Sequence, residues 1–520
     1  MLDSRPEALS GDAMSHASRK RLIADMDVDI SDAEEEASSD ATLEVVAPVE
    51  IHFHWPTRFT LALPAECLAR LAERARQGIC CISEYSGYGS FEVAAQHIQE
   101  ALRLNGRVDN ESVGMVFLRS GDILERCRKA LLGSHREGGC GCVFGDMLLR
   151  SPVELVDKMR EDIKESHALM AESIEAGEAS AAVLDKVGNA LLQKVASYMF
   201  NNVEDQGGNA WCYAHERECA AVKTRQNDEQ IMIGGAGITC IDWSSMGQKK
   251  RWVGDTLLCF MHFLQEVRAQ GADAWILECT IGFDHDPLRQ LLPSYELFVL
   301  KISPHELGLP SHRPRKYMFL LNRSRLRFQG KIKELGVNES FVRLFGRPVD
   351  LTGSAYFRAP QHVVNRMVEE LATRRGLPSK RRGGKEWSCY QVLDPGARAR
   401  LHGYEKRVVA MGLPERNKYL ANIEQHPAFF KGLTKLMPTL MRRSCVWSFQ
   451  HRRLLTGEES LEVQGMNLFN DDSTFACPFR DLVLSGSFST ADLKAMSGNS
   501  MNVAVVGACM VFLLGCTERV

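Results

Sequence analysis

Six short apolar runs, each breaking into a polar or glycine-bearing loop, constrain this chain more than any other feature. They occupy residues 79–82, 113–118, 142–144, 231–236, 274–277 and 318–321. Helical periodicity through 65–76 and 90–101 separates the early ones. Strand–loop–helix alternation of this kind predicts a parallel sheet with helices on both faces, an α/β Rossmann-like class. In such sheets the loops at the carboxyl ends of the strands collect ligands and catalytic groups. A chain of 520 residues has room for two or three domains.

The first 49 residues are a different material. Asp25, Asp27, Asp29, Asp32, Glu34, Glu35, Glu36 and Asp40 stand among Ser and Ala. So little apolar surface cannot offset the entropy of ordering, and a disordered acidic tail is expected. No apolar stretch follows Arg19-Lys20-Arg21, so a signal or transit peptide is not expected. The longest apolar run, 503–514, is shorter than the ~18–20 residues that span a bilayer, and it reads as a buried helix rather than a membrane segment. Scattered cysteines without a signal peptide favour reduced thiols.

The catalytic domain is expected over 50–329, with a helical insertion at 147–229. In the insertion Cys212, His215 and Cys219 could offer three ligands to zinc. Their spacing fits no strong zinc pattern and no fourth ligand is evident, so no metal is expected. From 330 to 450 basic residues outnumber acidic ones, as in Arg374-Arg375, Lys380-Arg381-Arg382 and Arg442-Arg443, with Trp387, Tyr390, Tyr404 and Trp447 among them. Basic residues interleaved with aromatics suit a phosphate backbone and stacked or flipped bases. Lys380-Arg381-Arg382 also reads as a solvated loop or an import signal. Residues 451–520 are expected to return to the catalytic domain.

Reactive groups lie at the ends of the apolar runs. Tyr85-Ser86-Gly87-Tyr88-Gly89 follows the first, where glycines let the backbone approach a ligand and a helix start favours negative charge. Asp122 ends the second run and Asp146 the third, placed for a nucleoside. Cys240 follows the fourth in Gly237-Ile238-Thr239-Cys240-Ile241-Asp242-Trp243-Ser244, Glu278 ends the fifth, and Arg313 and Arg315 precede the sixth. A lone thiol after a strand is more often an inert core group; the ordered set around Cys240 argues otherwise.

In order, these pieces resemble the cytosine-C5 DNA methyltransferase family across most of the chain. Tyr85-Ser86-Gly87-Tyr88-Gly89 is similar to the family's S-adenosylmethionine loop, with Tyr85 where an aromatic ring stacks on adenine. Asp122 and Asp146 match its ribose- and adenine-binding acids. Gly237-Ile238-Thr239-Cys240 with Ser244 resembles its nucleophile loop, Glu278 its Glu-Asn-Val carboxylate, and Arg313/Arg315 its arginine pair. The segment from Arg453 to Gly465 is similar to Arg-x-Leu-Thr-x-x-Glu-x-x-Arg-Leu-Gln-Gly. Gly498-Asn499-Ser500-Met501 is similar to the segment that completes the cofactor site, which brings in Asn499 and Ser500.

The resemblance implies a Rossmann-like S-adenosylmethionine-dependent methyltransferase fold with a smaller target-recognition domain. It implies methyl transfer to C5 of a flipped cytosine through a Cys240 adduct at C6, with Glu278 at N3 and Arg315 at O2. DNA is the implied partner, with RNA or a catalytically inactive DNA- and cofactor-binding relative as alternatives. A monomeric catalytic unit is implied, nuclear in a eukaryote and cytoplasmic in a prokaryote. The chain departs from the pattern at Ser83, Thr239, Ile241, Cys279, Ser311 and Glu462.

Overall fold

Alternate residues of the strands feed two separate cores. Cys81, Ile231, Ile233, Ile276 and Phe319 point into one; Cys80, Ile82, Met232, Trp275 and Met318 point into the other. Side chains of period two that are apolar on both faces are the mark of a sheet covered on both sides. The computed structural model describes residues 50–134, 141–177, 180–200, 208–381, 384–413, 416–429, 432–470 and 473–520. The acidic segment 1–49 and Arg382 lie outside the described residues.

The main sheet contains β1 (Ile79–Glu84), β2 (Met115–Gly121), β3 (Cys142–Phe144), β4 (Asn209–Cys212), β5 (Arg217–Ala220), β6 (Ile231–Gly237), β7 (Ala274–Thr280), β8 (Tyr295–Ile302) and β9 (Arg315–Asn322). Their spatial order is β5-β4-β3-β2-β1-β6-β7-β9-β8. The five central strands from β3 to β7 are parallel, and β9 runs antiparallel to both β7 and β8. The α/β Rossmann-like class predicted from the apolar runs is therefore the one observed. The chain leaves β1 toward β3 on one side and later crosses back to β6 on the other. That reversal opens a crevice at the carboxyl ends of β1 and β6, where open α/β sheets bind ligands.

The helices Ala65–Gln77, Ser90–Leu104 and Val503–Cys516 cover the first face. Every residue of Val503–Cys516 is buried, so the long apolar run is a core helix, as its length predicts. On the second face lie Val153–Glu175, Ser180–Met199 and Thr256–Gln270. Segment 147–229 thus supplies helical cover to the sheet as well as the β4–β5 hairpin at its edge. At β6 the glycines have a packing cause. A Cβ on Gly234 would lie 2.1 Å from the Trp275 ring, and one on Gly235 2.2 Å from the Phe91 ring. Both aromatic rings lie directly against the strand that delivers Cys240.

Residues from about 350 to 455 build a second, smaller core. The helices Gln361–Arg374 and Pro395–Ala410 pack on a small antiparallel sheet containing Leu420–Asn422 and Val446–Ser448. Helices Gly330–Leu335 and Val337–Phe345 instead add Ile332, Phe341 and Phe345 to the first core of the large sheet. Two of the four aromatics read as base-stacking groups prove otherwise. Tyr404 and Trp447 are buried in the small core, because Ala397, Leu401, Tyr404 and Val408 form one apolar helix stripe. Tyr390 is exposed, and Trp387 donates from Nε1 to the Pro378 carbonyl.

Candidate active site

Cys240 sits three residues beyond β6, partly exposed, at the crevice. Its carbonyl accepts from the backbone N–H groups of Trp243 (3.0 Å) and Ser244 (2.8 Å), which wind the following residues into a turn. Asp242 fastens that turn. Its buried carboxylate accepts from Thr256 Oγ1 at 2.6 Å, at the start of the Thr256–Gln270 helix, and its carbonyl accepts from Arg251 N at 3.0 Å. Trp243 packs edge-on against Trp252 (4.7 Å) and Phe283 (5.1 Å). The loop therefore owes its rigidity to Asp242 and Trp243, although Thr239 stands where the family has proline. Asp242 was not singled out from the sequence; its signal was an acid directly beside two apolar residues in a polar loop.

Glu278 lies on β7 beside this loop, with its carbonyl accepting from Ile238 N at 2.8 Å. The residue is 7% exposed, and Arg315 Nε lies 2.8 Å from Oε1. The two residues face each other because β7 and β9 run antiparallel, with Glu278 opposite Tyr317 and Thr280 opposite Arg315. Burial raises the Glu278 pKa, and the charges of Arg315 and Arg313 oppose that rise. Burial, then the Glu278 charge, also raises the Cys240 pKa, against Arg315 and Arg313. Thiol, carboxyl and guanidinium thus share one electrostatic environment. Cys279, in place of asparagine, is buried with its Sγ 3.7 Å from the Ile238 carbonyl.

The two arginines have separate jobs. Arg313 is buried and donates from Nη1 to the Leu440 carbonyl (2.9 Å) and from Nη2 to those of Gly498 (3.1 Å) and Ser500 (2.7 Å). Burial lowers its pKa to about 10. It ties the segment at Leu440 and the C-terminal segment to the crevice, while Arg315 is the guanidinium directed at Glu278. Exposed Arg442 and Arg443 follow Leu440 closely, so the same clamp anchors basic side chains near the site. Ser311 N bonds the Leu309 carbonyl, and His312 N bonds the Met437 carbonyl at 2.8 Å.

The residues matched to cofactor binding gather at the ends of β1 to β3. Gly87 (φ 58°) and Gly89 (φ 93°) adopt backbone that favours glycine, and a Cβ on Gly87 would meet nothing within 4 Å. Asp122 accepts from Gly87 N (2.9 Å) and Leu124 N (2.8 Å). Asp146 caps a short turn by accepting from Leu148 N at 3.0 Å. Ser500 Oγ meets Tyr88 Oη at 2.8 Å, Ser90 Oγ donates to the Met501 carbonyl at 3.0 Å, and Asn499 is exposed at the end of its helix. Tyr88 was not picked out beforehand; it is the buried pin that holds the C-terminal segment on the glycine loop.

Tyr85 packs edge-on against Phe263 at 5.8 Å and lines a narrow cleft with Ile238, Thr239, Trp243 and Leu257. The cleft has room for little more than a water molecule, so an adenine entering it has to displace side chains. The polar set does fit the S-adenosylmethionine that the resemblance implies: the backbone in front of Gly87 is open, two acids end β2 and β3, and one buried oxygen of Glu92, Oε2, has no partner. Glu92 Oε1 meanwhile accepts from the Ser120 hydroxyl at 2.6 Å and from that of Ser83. A carboxylate is thereby restored beneath the loop where Ser83 replaces the family's acid.

Below the crevice two acids and two arginines, all but the half-buried Glu266 with buried side chains, tie β1, β2 and the helix Thr256–Gln270 together. Arg150 Nη1 is 2.7 Å from both Glu84 and Glu266, and Arg119 Nη2 is 2.9 Å from Glu266. Another expectation needs correction at the sheet edge. Cys212, His215 and Cys219 do have a fourth companion, Cys142 of β3, which sequence spacing could not reveal because it lies 70 residues upstream.

Glu462, where the family has arginine, is buried and accepts from Leu468 N (3.1 Å) and Phe469 N (3.0 Å). Burial raises its pKa from 4.5 to about 7. The folded chain therefore holds a proton that the unfolded chain loses between pH 4.5 and about 7. Stability falls as pH rises through that window, by about 3 kcal/mol from this group. Denaturant unfolding at pH 5 and pH 8 checks this: the decline should be smaller in Glu462→Gln, and an equal decline in both proteins would contradict it.

No protein-family model matches the chain, and no curated protein matches it. Solved structures are similar at low identity. The S. pombe Dnmt2 methyltransferase is 12% identical, with a TM-score of 0.38 over 84% of this chain and 98% of that one. An E. coli prophage protein described as a DNA modification methyltransferase is 14% identical, with a TM-score of 0.40 over 84% and 98%. Both of these solved structures are described as methyltransferases.

Proposed function

We propose that the chain is an S-adenosylmethionine-dependent DNA cytosine-5 methyltransferase. The observation that carries this reading is the grouping of Cys240 with a buried Glu278 whose raised pKa favours the protonated form, and with Arg315 at 2.8 Å from that carboxyl. C5 of cytosine is a poor nucleophile. Addition of the Cys240 thiolate to C6 makes the ring an enamine, and Glu278 gives its proton to N3 to neutralise the charge that develops. Arg315 holds the ring through O2 and adds electrostatic stabilisation. Bound S-adenosylmethionine supplies an electrophilic methyl group to C5. Loss of the C5 proton to a solvent base then lets the thiolate leave as N3 returns its proton to Glu278, restoring the aromatic ring.

Gly87, Asp122, Asp146 and Ser500 are the residues that would hold the cofactor's nucleoside. The target base must leave the duplex, and exposed Arg442 and Arg443 are suited to the displaced phosphate backbone. Transfer of labelled methyl groups to duplex DNA and to tRNA in parallel tests the reading. Label recovered as 5-methylcytosine from DNA is expected. Label in tRNA alone would replace the DNA substrate with RNA. Cofactor binding without transfer to either would make the chain a non-catalytic binding protein.

A further inference from the structure

The β4–β5 hairpin is poorly supported by ordinary packing. Among its eight strand residues only Cys212 is buried, and its small apolar cluster is little more than Cys142, Phe144 and Cys212. It is held to β3 by the pairing of Phe144 with Cys212 and by the bond from Tyr213 N to the Val143 carbonyl at 2.8 Å. Two short strands with so little cover are marginal on their own. Yet four potential ligands converge there. Cys142 comes from β3, Cys212 from the end of β4, His215 from the turn and Cys219 from β5, and their ligand atoms all lie within 4.8 Å of one another.

We propose that Cys142, Cys212, His215 and Cys219 bind one structural zinc ion. The His215 Nδ1 atom lies 3.5 Å from Cys142 Sγ, 3.3 Å from Cys212 Sγ and 3.5 Å from Cys219 Sγ. One imidazole nitrogen offers a single lone pair or a single N–H, so hydrogen bonding can satisfy one of these sulfurs and not all three. A tetrahedral zinc site accounts for all of them. With ordinary zinc–sulfur and zinc–nitrogen bonds, each nitrogen–sulfur edge of the tetrahedron is about 3.6 Å long. Four protein ligands leave no open coordination position, which makes the site structural rather than catalytic.

The surroundings fit the charge. Three thiolates and a neutral imidazole around a divalent ion leave one net negative charge, and Lys223 Nζ stands 3.0 Å from Cys142 Sγ. The turn also bears on the crevice. Tyr213 carries the Arg128 guanidinium at 4.3 Å from its ring centre, and Arg128 Nη1 donates to the carbonyls of Asp122 (3.1 Å) and Ile123 (2.5 Å). Zinc would thereby fix the hairpin against the loop that presents Asp122. Because the ion is bound by the edge of the sheet, its presence does not depend on the proposed methyl transfer.

Elemental analysis of the untagged full-length protein tests the site. About one zinc per chain is expected, surviving dialysis, with most of it lost in His215→Ala and Cys219→Ser and retained in Cys127→Ser, whose thiol lies in the Glu125–Ser134 helix. Cobalt substitution of the wild-type protein guards against variants that fail to fold. It should give the intense visible bands of tetrahedral cobalt together with thiolate-to-cobalt charge transfer. A wild-type chain that takes up neither zinc nor cobalt overturns the proposal, as does zinc content unchanged in both ligand variants.

Discussion

Glu278→Gln should slow methyl transfer by about 10²- to 10⁴-fold while leaving DNA and cofactor affinities nearly unchanged. Glutamine keeps the size of the side chain and can still face Arg315, but it has no proton to give to N3. The effect should therefore fall on kcat rather than KM. The pH profile separates this from a structural defect. In the wild type the active form pairs an ionised Cys240 with a protonated Glu278, both raised by burial, so the rate should rise and then fall with pH. The variant should keep the rising limb and lose the falling one. An unchanged kcat would remove Glu278 from the chemistry.

Arg313→Met should be the more damaging change to the fold and Arg315→Met the more damaging to turnover. Arg313 satisfies three carbonyls from two separate segments, and methionine leaves them buried without a donor. A loss of about 3–5 kcal/mol is expected in denaturant unfolding. Arg315 is the partner of a carboxyl that burial already biases toward its neutral form. Its loss should cost little stability and about 10²-fold in kcat. Equal destabilisation by the two substitutions would contradict this division, and so would full activity in a folded Arg315→Met.

The sequence was most legible where burial is most complete. Strands β1, β6 and β7 are covered on both faces, so they read as unbroken apolar runs that lead into the loops carrying Tyr85 and Cys240 and into Glu278 near the end of β7. β8 was not singled out because Glu296 and Lys301 interrupt it and its burial is mixed. The β4–β5 hairpin was illegible for a related reason: strands of four mostly exposed residues leave no hydrophobic period to detect. Cys142 could not be joined to Cys212, His215 and Cys219 without the sheet that brings β3 beside β4. Tyr404 misled because it lies in a basic segment, although its spacing with Ala397, Leu401 and Val408 carried the signature of a core helix. Within the site, the motif order located Arg313 and Arg315 but not their division of labour, which depends on where the C-terminal segment returns.

Covalent trapping measures the central claim most directly. In duplex DNA carrying 5-fluorocytosine at target positions, the C5 substituent cannot leave as a proton, so a thiol that has added to C6 stays attached after methyl transfer. With S-adenosylmethionine present, the wild-type protein should form a protein–DNA complex that survives denaturing electrophoresis, with the DNA mapped to Cys240 by peptide mass. Cys240→Ala should bind cofactor and form none. A wild-type protein that binds both cofactor and DNA without forming the complex would contradict the account, and so would a complex that persists in Cys240→Ala.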